Sequence, residues 1–274
     1  MFVRIISGVI AVALLFCILY LCPVWAIPLA LMVLNVIAVH EFLAATKFVK
    51  NRAMLIAAVV FSTLVIPWVY RGADYTAANI AVFLFAAFLF ALALGSQRQV
   101  TLEQIGGAFF AAIFIPLAFS SIIRIRLAEH GIYLILLPFI CAYMTDTCAY
   151  FTGIFLGRTK MAPGISPKKS WEGSVGGMAG CVAGMFLYGL LLNLAFRFAV
   201  NWAILAFVGV FGSAAAQFGD LCFSYIKRQF GIKDYGRIIP GHGGVLDRCD
   251  SLLFAAPTVE LILTITGGLL LTVT

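Results

Sequence analysis

Residues 202–250 read WAILAFVGVFGSAAAQFGDLCFSYIKRQFGIKDYGRIIPGHGGVLDRCD and divide into two halves of opposite character. The first half, 202–225, is an apolar run long enough to cross the roughly 30 Å hydrocarbon core of a bilayer as a helix. The second half gathers five of the chain's 18 Lys and Arg residues into one polar loop. Ionisable groups are costly to hold beside a membrane span. This stretch therefore predicts a membrane helix that ends in a functional loop.

The whole chain has the composition of a membrane protein. Of its 274 residues, 64% are hydrophobic and 11% are charged, and the mean hydropathy is +1.10, whereas soluble domains carry roughly 25% charged residues. The apolar runs are continuous and lack the alternation of membrane strands, which favours helices over a barrel. We expect one all-α, polytopic membrane domain over 1–274. The nine predicted spans are 3–21, 24–45, 53–70, 77–95, 104–123, 131–156, 173–196, 202–225 and 251–273.

The distribution of basic residues predicts the orientation of these spans. Cytoplasmic loops are enriched in Lys and Arg, and alternate connections hold thirteen of them on one side and five on the other. The asymmetry predicts an outside N-terminus and places both charge-rich loops, after the sixth and eighth spans, on the cytoplasmic side. The first segment lacks a small-x-small cleavage site before the next span, so we interpret it as a retained helix.

Cysteine usage and net charge exclude some function classes. The seven cysteines are odd in number, scattered through apolar segments and without a C-x-x-C pair, so neither a disulfide framework nor a zinc site is indicated. Topology explains most of the net charge of +7, and attraction to anionic lipids is the second interpretation. The basic residues are not interleaved with aromatic residues on a soluble surface, which argues against nucleic-acid binding.

Four aspartates are candidate metal ligands. Asp220 lies near the end of the eighth span, and Asp247 and Asp250 open the ninth, three apart and so on one helix face. Asp146 lies inside the sixth span, where a carboxylate needs a polar interior, a proton or a cation. Carboxylates, water and substrate phosphates are the ligands that Mg²⁺ takes. The alternative for the other three is ion pairing with Arg248, Arg228 or Lys227, together with stabilisation by the dipole of a helix N-terminus. For Asp146 the alternative is a neutral acid hydrogen-bonded between helices.

Two loops carry candidate anion-binding residues. The connection 157–174 reads GRTKMAPGISPKKSWEGS, and its Lys168, Lys169 and Ser170 precede a helix whose N-terminus also favours an anion. A basic loop on the cytoplasmic side would explain the same residues without a ligand. In the second loop His242 lies among glycines, where the backbone can approach a phosphate closely.

Other polar or small residues in the spans have simpler interpretations. Glycines recur at four-residue spacing along the seventh span, which predicts close helix packing rather than a phosphate loop. These are Gly173 and Gly177, and Gly176, Gly180 and Gly184. Glu41 and Asn35, in the second span, have no motif around them, and we interpret them as interfacial or interhelical polar groups.

The two charged loops together resemble the signature of the phosphatidate cytidylyltransferase (CDP-diacylglycerol synthase) family. The resemblance rests on Ser-x-Ile-Lys-Arg at 224–228, Lys-Asp-x-Gly at 233–236 and Pro-x-His-Gly-Gly-Val-x-Asp-Arg-x-Asp at 240–250. The first loop resembles the family's Ser-Pro-Lys-Lys-Thr-x-Glu-Gly segment, with Ser170 in place of Thr. Two positions depart from the pattern: Phe223 stands where an acidic residue is common, and Cys249 where a larger hydrophobic residue is usual.

The resemblance implies transfer of CMP from CTP to phosphatidic acid, with release of pyrophosphate, in a cytoplasmic-face region built mainly from 145–251. It implies Mg²⁺ held by Asp220 and Asp247, with Asp146 and Asp250 nearby, and the acid count allows a second cation of unknown identity. The implied catalytic residues are Asp220, Asp247, Lys227, Arg228, His242 and Arg248. The implied substrate-binding residues are Lys168, Lys169, Ser170, Lys233, Asp234, Gly243 and Gly244.

The resemblance further implies a homodimer among the lipids of a bacterial cytoplasmic membrane. Two rival functions fit parts of the same sequence pattern. A CTP-dependent kinase of a polyprenol or phytol would move the γ-phosphate instead, but the longer cytidylyltransferase signature argues against it. An ion-coupled transporter would also place acids in membrane spans, but the sequence lacks paired broken helices in two similar halves.

Overall fold

A computed structural model describes residues 2–47, 49, 51–72, 74–96, 100–239 and 243–273. The predicted site residue His242 lies outside the described residues. Helices dominate the described chain, and the strands are short, of three to five residues. The predicted all-α, polytopic class is confirmed. The chain divides into two compact units: unit 1 is 1–123 with 230–248, and unit 2 is 124–229 with 249–274.

Unit 1 contains the N-terminal helices and the loop 230–248. Its elements are α1 (Phe2–Phe16), a π-helical turn (Cys17–Leu21), α2 (Ala26–Ala45), α3 (Arg52–Tyr70), α4 (Tyr75–Gly95) and most of α5 (Leu102–Leu127). Asn51 caps α3 and Asp74 caps α4 by accepting hydrogen bonds from first-turn amides. Asn35 of α2 donates to Ser62 Oγ of α3 at 3.0 Å, and both are fully buried. The interhelical interpretation of Asn35 is confirmed.

Unit 2 contains the remaining helices and two small antiparallel sheets. Its elements are α6 (Gly131–Leu134), α7 (Leu137–Phe155), β1 (Lys160–Ala162), β2 (Ser166–Ser170), α8 (Trp171–Phe196), β3 (Phe198–Val200), α9 (Trp202–Gln229), α11 (Leu252–Ile265) and β4 (Leu271–Val273). The four-residue α10 (Leu246–Cys249) has all but its last residue in unit 1. Strand β1 pairs with β2, and β3 pairs with β4. The hairpin β1–β2 leads directly into α8.

The close helix packing predicted for the glycines of α8 is confirmed, and the partner helix is α7. A Cβ atom added at Gly177 would lie 2.8 Å from the carbonyl oxygen of Thr145, and one at Gly180 would lie 2.3 Å from Cys148 Sγ. Real Cβ atoms do not approach other atoms so closely, so only glycine permits this backbone separation. The contact brings the part of α7 that carries Asp146 beside the first turns of α8.

The count of nine spans is not confirmed. Seven helical segments within the described residues are long and apolar enough to cross a membrane, namely 26–45, 52–70, 75–95, 102–127, 131–155, 171–196 and 202–229. The predicted continuous ninth span, 251–273, is wrong. Helix α11 has 14 residues, about 21 Å at 1.5 Å per residue, and Gly267 and Gly268 then turn the chain with φ of +60° and +77°. Residues 271–273 pair with β3 instead.

Candidate functional site

A cavity of about 530 Å³ lies in unit 2 among α7, the β1–β2 hairpin, α8 and α9. It gathers two predicted acids and the basic hairpin, which are separated in sequence. The polar residues that line it include Asp146, Lys168, Lys169, Ser170, Gln217 and Asp220. The structure therefore brings part of the predicted site together within one unit.

The first turn of α8 fixes the basic hairpin. Ser170 Oγ accepts the N–H of Gly173 at 3.1 Å, so this serine is the N-cap of α8. The carboxylate of Glu172 accepts the backbone N–H groups of Arg158 and Thr159, each at 3.1 Å. These bonds hold the start of the hairpin against the helix N-terminus. Lys168 and Lys169 are thereby presented at that N-terminus, where an anion is favoured.

Hydrogen bonds between helices hold the wall of the cavity. Thr145 Oγ1 donates to Ser213 Oγ at 2.9 Å, which joins α7 to α9 beside Asp146. Gln217 Nε2 donates to the carbonyl of Ser174 at 3.2 Å, and Ser174 Oγ donates to Gln217 Oε1, which joins α8 to α9. Because all four groups belong to helix faces, the acids of α7 and α9 are held on rigid elements.

Two lysines neutralise two of the acids. Lys169 Nζ lies 2.5 Å from Asp220 Oδ2, and Ser224 Oγ donates to Asp220 Oδ1 at 3.2 Å. Lys227 Nζ lies 3.8 Å from Asp250 Oδ2, with both side chains about nine-tenths buried. The ion-pair alternative is therefore confirmed for Asp250 with Lys227, whereas the partner of Asp220 is Lys169, which the sequence did not suggest.

Asp146 and Asp250 are linked through Ser251. The Ser251 hydroxyl donates to Asp146 Oδ2 at 3.2 Å, and the Ser251 N–H donates to Asp250 Oδ1 at 2.8 Å. Burial raises the pKa of the Asp250 carboxyl to about 8, and the negative charges of Asp220 and Asp146 also raise it, against the opposing effect of Lys227. The three carboxylates therefore repel one another in one electrostatic environment.

The donor chemistry of these acids fits Mg²⁺, although their arrangement is one of ion pairs. In the described part of the chain, no group of three or more His, Cys, Asp or Glu side chains is placed to hold a metal ion. Hard carboxylate oxygens are nevertheless what Mg²⁺ takes. A cation would also relieve the repulsion between these acids, which adds to the effect of burial on the pKa of Asp250. The acids of unit 2 with suitable donor oxygens are Asp146, Asp220 and Asp250, and they would have to move closer together to share a cation.

Asp247 lies in unit 1, where it closes the loop 230–248. Its Oδ2 accepts the N–H of Tyr235 at 2.8 Å and the N–H of Gly244 at 3.1 Å. The single helix predicted to open with Asp247 and Asp250 is wrong: α10 ends at Cys249, and Asp250 lies in the turn before α11.

The remaining predicted residues of unit 1 lie in the same loop as Asp247. A Cβ atom at Gly243, whose φ is +85°, would lie 3.2 Å from Asp247 Oδ2 and 3.5 Å from Asp234 Oδ1. Gly243 therefore needs the conformational freedom of glycine. Lys233 and Arg248 are exposed, as expected of side chains that meet a soluble anion.

Three positions of the signature region have structural roles. Arg228 Nε donates to the carbonyl of Ile165 at 3.1 Å, so it supports the tip of the hairpin. Phe223, 1% exposed, packs edge-on against Phe254 with ring centroids 6.4 Å apart, which explains why an apolar residue suits this position. Cys249 is also buried.

Sequence reasoning missed some polar residues of these surroundings. Gln217 lies one helical turn before Asp220 and lines the cavity. Its polar amide in an apolar run was the available signal. Glu41, interpreted from sequence as an interfacial or interhelical group, is 4% exposed and accepts the N–H of Leu246 at 2.9 Å. The signal for Glu41 was the cost of an acid in an apolar helix.

Comparisons with known proteins show which family this chain belongs to. A model of the cytidylyltransferase family matches residues 2–266. The phosphatidate cytidylyltransferase of Bacillus subtilis is 33% identical over 268 residues, which cover 96% of this chain and 97% of the relative. That of Haemophilus influenzae is 30% identical over 282 residues, covering 93% and 95%. That of Brucella suis is 44% identical over 131 residues, covering 48% and 47%.

Proposed function

The chain belongs to the cytidylyltransferase family and is a nucleotidyltransferase, and from this premise we propose that the unit 2 cavity is where CTP and phosphatidic acid react. The products are CDP-diacylglycerol and pyrophosphate. The observation that carries the proposal is the meeting of Asp146 and Asp220 with Lys168 and Lys169 in one cavity. The lipid kinase and transporter alternatives receive no support from the relatives.

The reaction needs positioning more than covalent help from the protein. A phosphate oxygen of phosphatidic acid attacks the α-phosphorus of CTP, the bond from that phosphorus to the β-phosphate oxygen breaks, and pyrophosphate leaves. The lipid phosphate is already a nucleophile, so no enzyme-bound intermediate is required. The protein's task is to hold two polyanions in line and to neutralise charge as it develops.

The residues of the cavity suit that task. Lys168 and Lys169 stand at the N-terminus of α8, where backbone N–H groups and the helix dipole add to their attraction for phosphate. Asp146, Asp220 and Asp250 are proposed to hold Mg²⁺, and on the family resemblance Asp247 is proposed with them. When bound, this cation supplies charge neutralisation at the phosphates. A second cation, and His242 as a phosphate donor, are part of the same proposal.

The chain is an integral membrane protein, and its setting completes the proposal. The excess of Lys and Arg in alternate connections supports a cytoplasmic site, so that CTP arrives from the cytosol. Phosphatidic acid, with two acyl chains, reaches the site from the surrounding lipids. The bacterial relatives support a location in the cytoplasmic membrane. A homodimer is proposed on the family resemblance alone.

Product analysis tests the proposed reaction. We expect the purified protein with CTP, Mg²⁺ and phosphatidic acid to yield CDP-diacylglycerol and pyrophosphate in equal amounts, identified by mass spectrometry and phosphate assay. A parallel incubation with a polyprenol in place of phosphatidic acid should yield neither CDP nor a lipid phosphate. Formation of CDP and polyprenyl phosphate, with no CDP-diacylglycerol in the first reaction, would contradict the proposal.

A further inference from the structure

Glu41, a buried carboxylate on α2, binds the backbone of the loop 230–248 in unit 1. Glu41 is 4% exposed, and its Oε2 accepts the backbone N–H of Leu246, 205 residues away in sequence, at 2.9 Å. A buried carboxylate is costly to keep unless hydrogen bonds compensate it. The cost at this position therefore indicates a specific role for the side chain.

The Glu41 carboxylate lies where a side chain would stand at two glycines of the loop. A Cβ atom at Gly236 would lie 2.0 Å from Glu41 Oε1, and one at Gly244 would lie 2.5 Å from Oε2. Among the described glycines of the loop from 236 to 244, only Gly243 has a positive φ. Backbone conformation does not require glycine at 236 or 244, so the close approach of Glu41 is the reason for both.

The carboxylate also keeps an unused acceptor. Glu41 Oε1 is buried and has no hydrogen-bond partner in the described part of the chain. A buried acceptor without a partner usually has a reason to be there. Its position against Gly236 places this acceptor at the loop rather than among the neighbouring helices.

Asp247 binds the same two parts of the loop, around residues 235 and 244. Its Oδ2 accepts from Tyr235 and Gly244, each next to or among the residues that Glu41 touches. We propose that Glu41 is a positioning residue: it holds loop 230–248 in the conformation in which the basic side chains of Lys233 and Arg248 meet the nucleotide phosphates. The role of the loop rests on the proposed function, but the anchoring by Glu41 does not.

Tryptic cleavage tests the anchoring without any assay of activity. Lys233 and Arg237 are exposed in the loop, so cleavage after them, followed by mass spectrometry on the full-length protein in detergent, reports how often the loop opens. We expect Glu41→Ala to accelerate cleavage about tenfold, since a hydrogen bond to a charged group is lost. Glu41→Gln should stay near the wild-type rate, because its amide oxygen still accepts from Leu246.

Asn35→Ala is the matched control. Asn35 is buried on the same helix and bonds to Ser62 of α3 rather than to the loop, so its loss should leave cleavage after Lys233 and Arg237 unchanged. Wild-type cleavage in Glu41→Ala, or equal acceleration in Asn35→Ala, overturns the proposal.

A double-mutant cycle with Gly236 tests the contact between Glu41 and the loop without relying on Glu41→Ala alone. The three atoms nearest to an added Cβ at 236 all belong to Glu41, so Gly236→Ala should accelerate cleavage in the wild-type background and have no further effect in Glu41→Ala. Additive effects of the two substitutions would show that they act independently and overturn the proposal. If Glu41→Ala is not recovered folded, wild-type cleavage in Gly236→Ala alone overturns it.

Steady-state kinetics then tests the link to the reaction. We expect Glu41→Ala to raise the KM for CTP about tenfold, because the loop that meets the phosphates opens more often while the Lys169–Asp220 pair stays intact. A fall in kcat with unchanged KM contradicts a positioning role in nucleotide binding. If the protein does not form CDP-diacylglycerol at all, the proposed function fails, and the cleavage experiment still decides the anchoring.

Discussion

At the scale of single residues, the acids and lysines of unit 2 form alternating charges rather than a ready metal centre. Lys169 contacts Asp220, and Lys227 faces Asp250. Buried or half-buried ion pairs contribute little net stability, but removing one partner leaves an uncompensated charge. The pairs therefore keep a basic group beside Asp220 and beside Asp250, in the place that a bound cation would have to take.

We expect Asp220→Asn to reduce turnover by roughly a hundredfold or more, because the charge that organises the cavity is removed. The measurement is the initial rate of pyrophosphate release, with size-exclusion chromatography in detergent to verify folding. Asp74→Asn is the control, since Asp74 caps α4 and Asn is an equally good cap. Near-normal turnover in a folded Asp220→Asn protein would remove Asp220 from the site.

The two adjacent lysines should respond differently to a change that keeps their charge. Lys169 lies 2.5 Å from Asp220 in a partly buried position, whereas Lys168 is exposed. Arg has a broad planar head where Lys has a compact one, so Lys169→Arg should lower turnover roughly tenfold and Lys168→Arg by less than about threefold. Both variants keep the charge that orients the loop. Equal, full activity in both would show that these lysines serve membrane insertion alone.

The sequence predicted which residues lie at the site better than it predicted what each of them does. The four aspartates and two lysines stand out because charge is rare in this chain, and unit 2 gathers three of those acids. The roles of Ser170 as a helix cap and Arg228 as a support for the hairpin depend on where β2 ends and α8 begins. The contacts of Glu41 could not be predicted because its partners lie about 200 residues away in sequence, a distance that no local motif encodes.

At the scale of helices, the packing of α7 against α8 is what builds the cavity wall. The four-residue spacing of glycines predicted that α8 packs closely against another helix, but not that the partner is α7. The end of α11 was not predicted because hydropathy continues through 266–273. Only the positive φ of Gly267 and Gly268 and the pairing of β4 with β3 end the helix there.

We expect Gly177→Ala to destabilise the protein by about 1–3 kcal/mol, because its Cβ would lie 2.8 Å from the Thr145 carbonyl oxygen. Gly106→Ala is the matched control within α5, where an added Cβ meets nothing within 4 Å. Alanine there should be neutral or stabilise by roughly 0.5–1 kcal/mol. Thermal unfolding in detergent measures both, and an equal Tm for the two variants would show that α7 and α8 separate without cost.

At the scale of the whole molecule, composition alone predicts a membrane protein. Hydropathy did not predict the number of spans correctly. The segment 251–273 is apolar enough to cross a bilayer, yet its helix is too short to do so alone. The orientation of the chain stays a prediction. It depends on the summed Lys and Arg asymmetry rather than on any single span.

Site-directed labelling can test that orientation at positions the structure describes. The asymmetry predicts cytoplasmic loops at Lys168 and Arg237 and outside loops at Arg71 and Arg197. In a background with the seven native cysteines replaced, single cysteines at 71 and 197 should react with a membrane-impermeant maleimide in intact cells. Cysteines at 168 and 237 should react only after permeabilisation. Because the proposed reaction needs both charged loops on one side, labelling of 168 and 237 from opposite sides would refute a shared catalytic role for them.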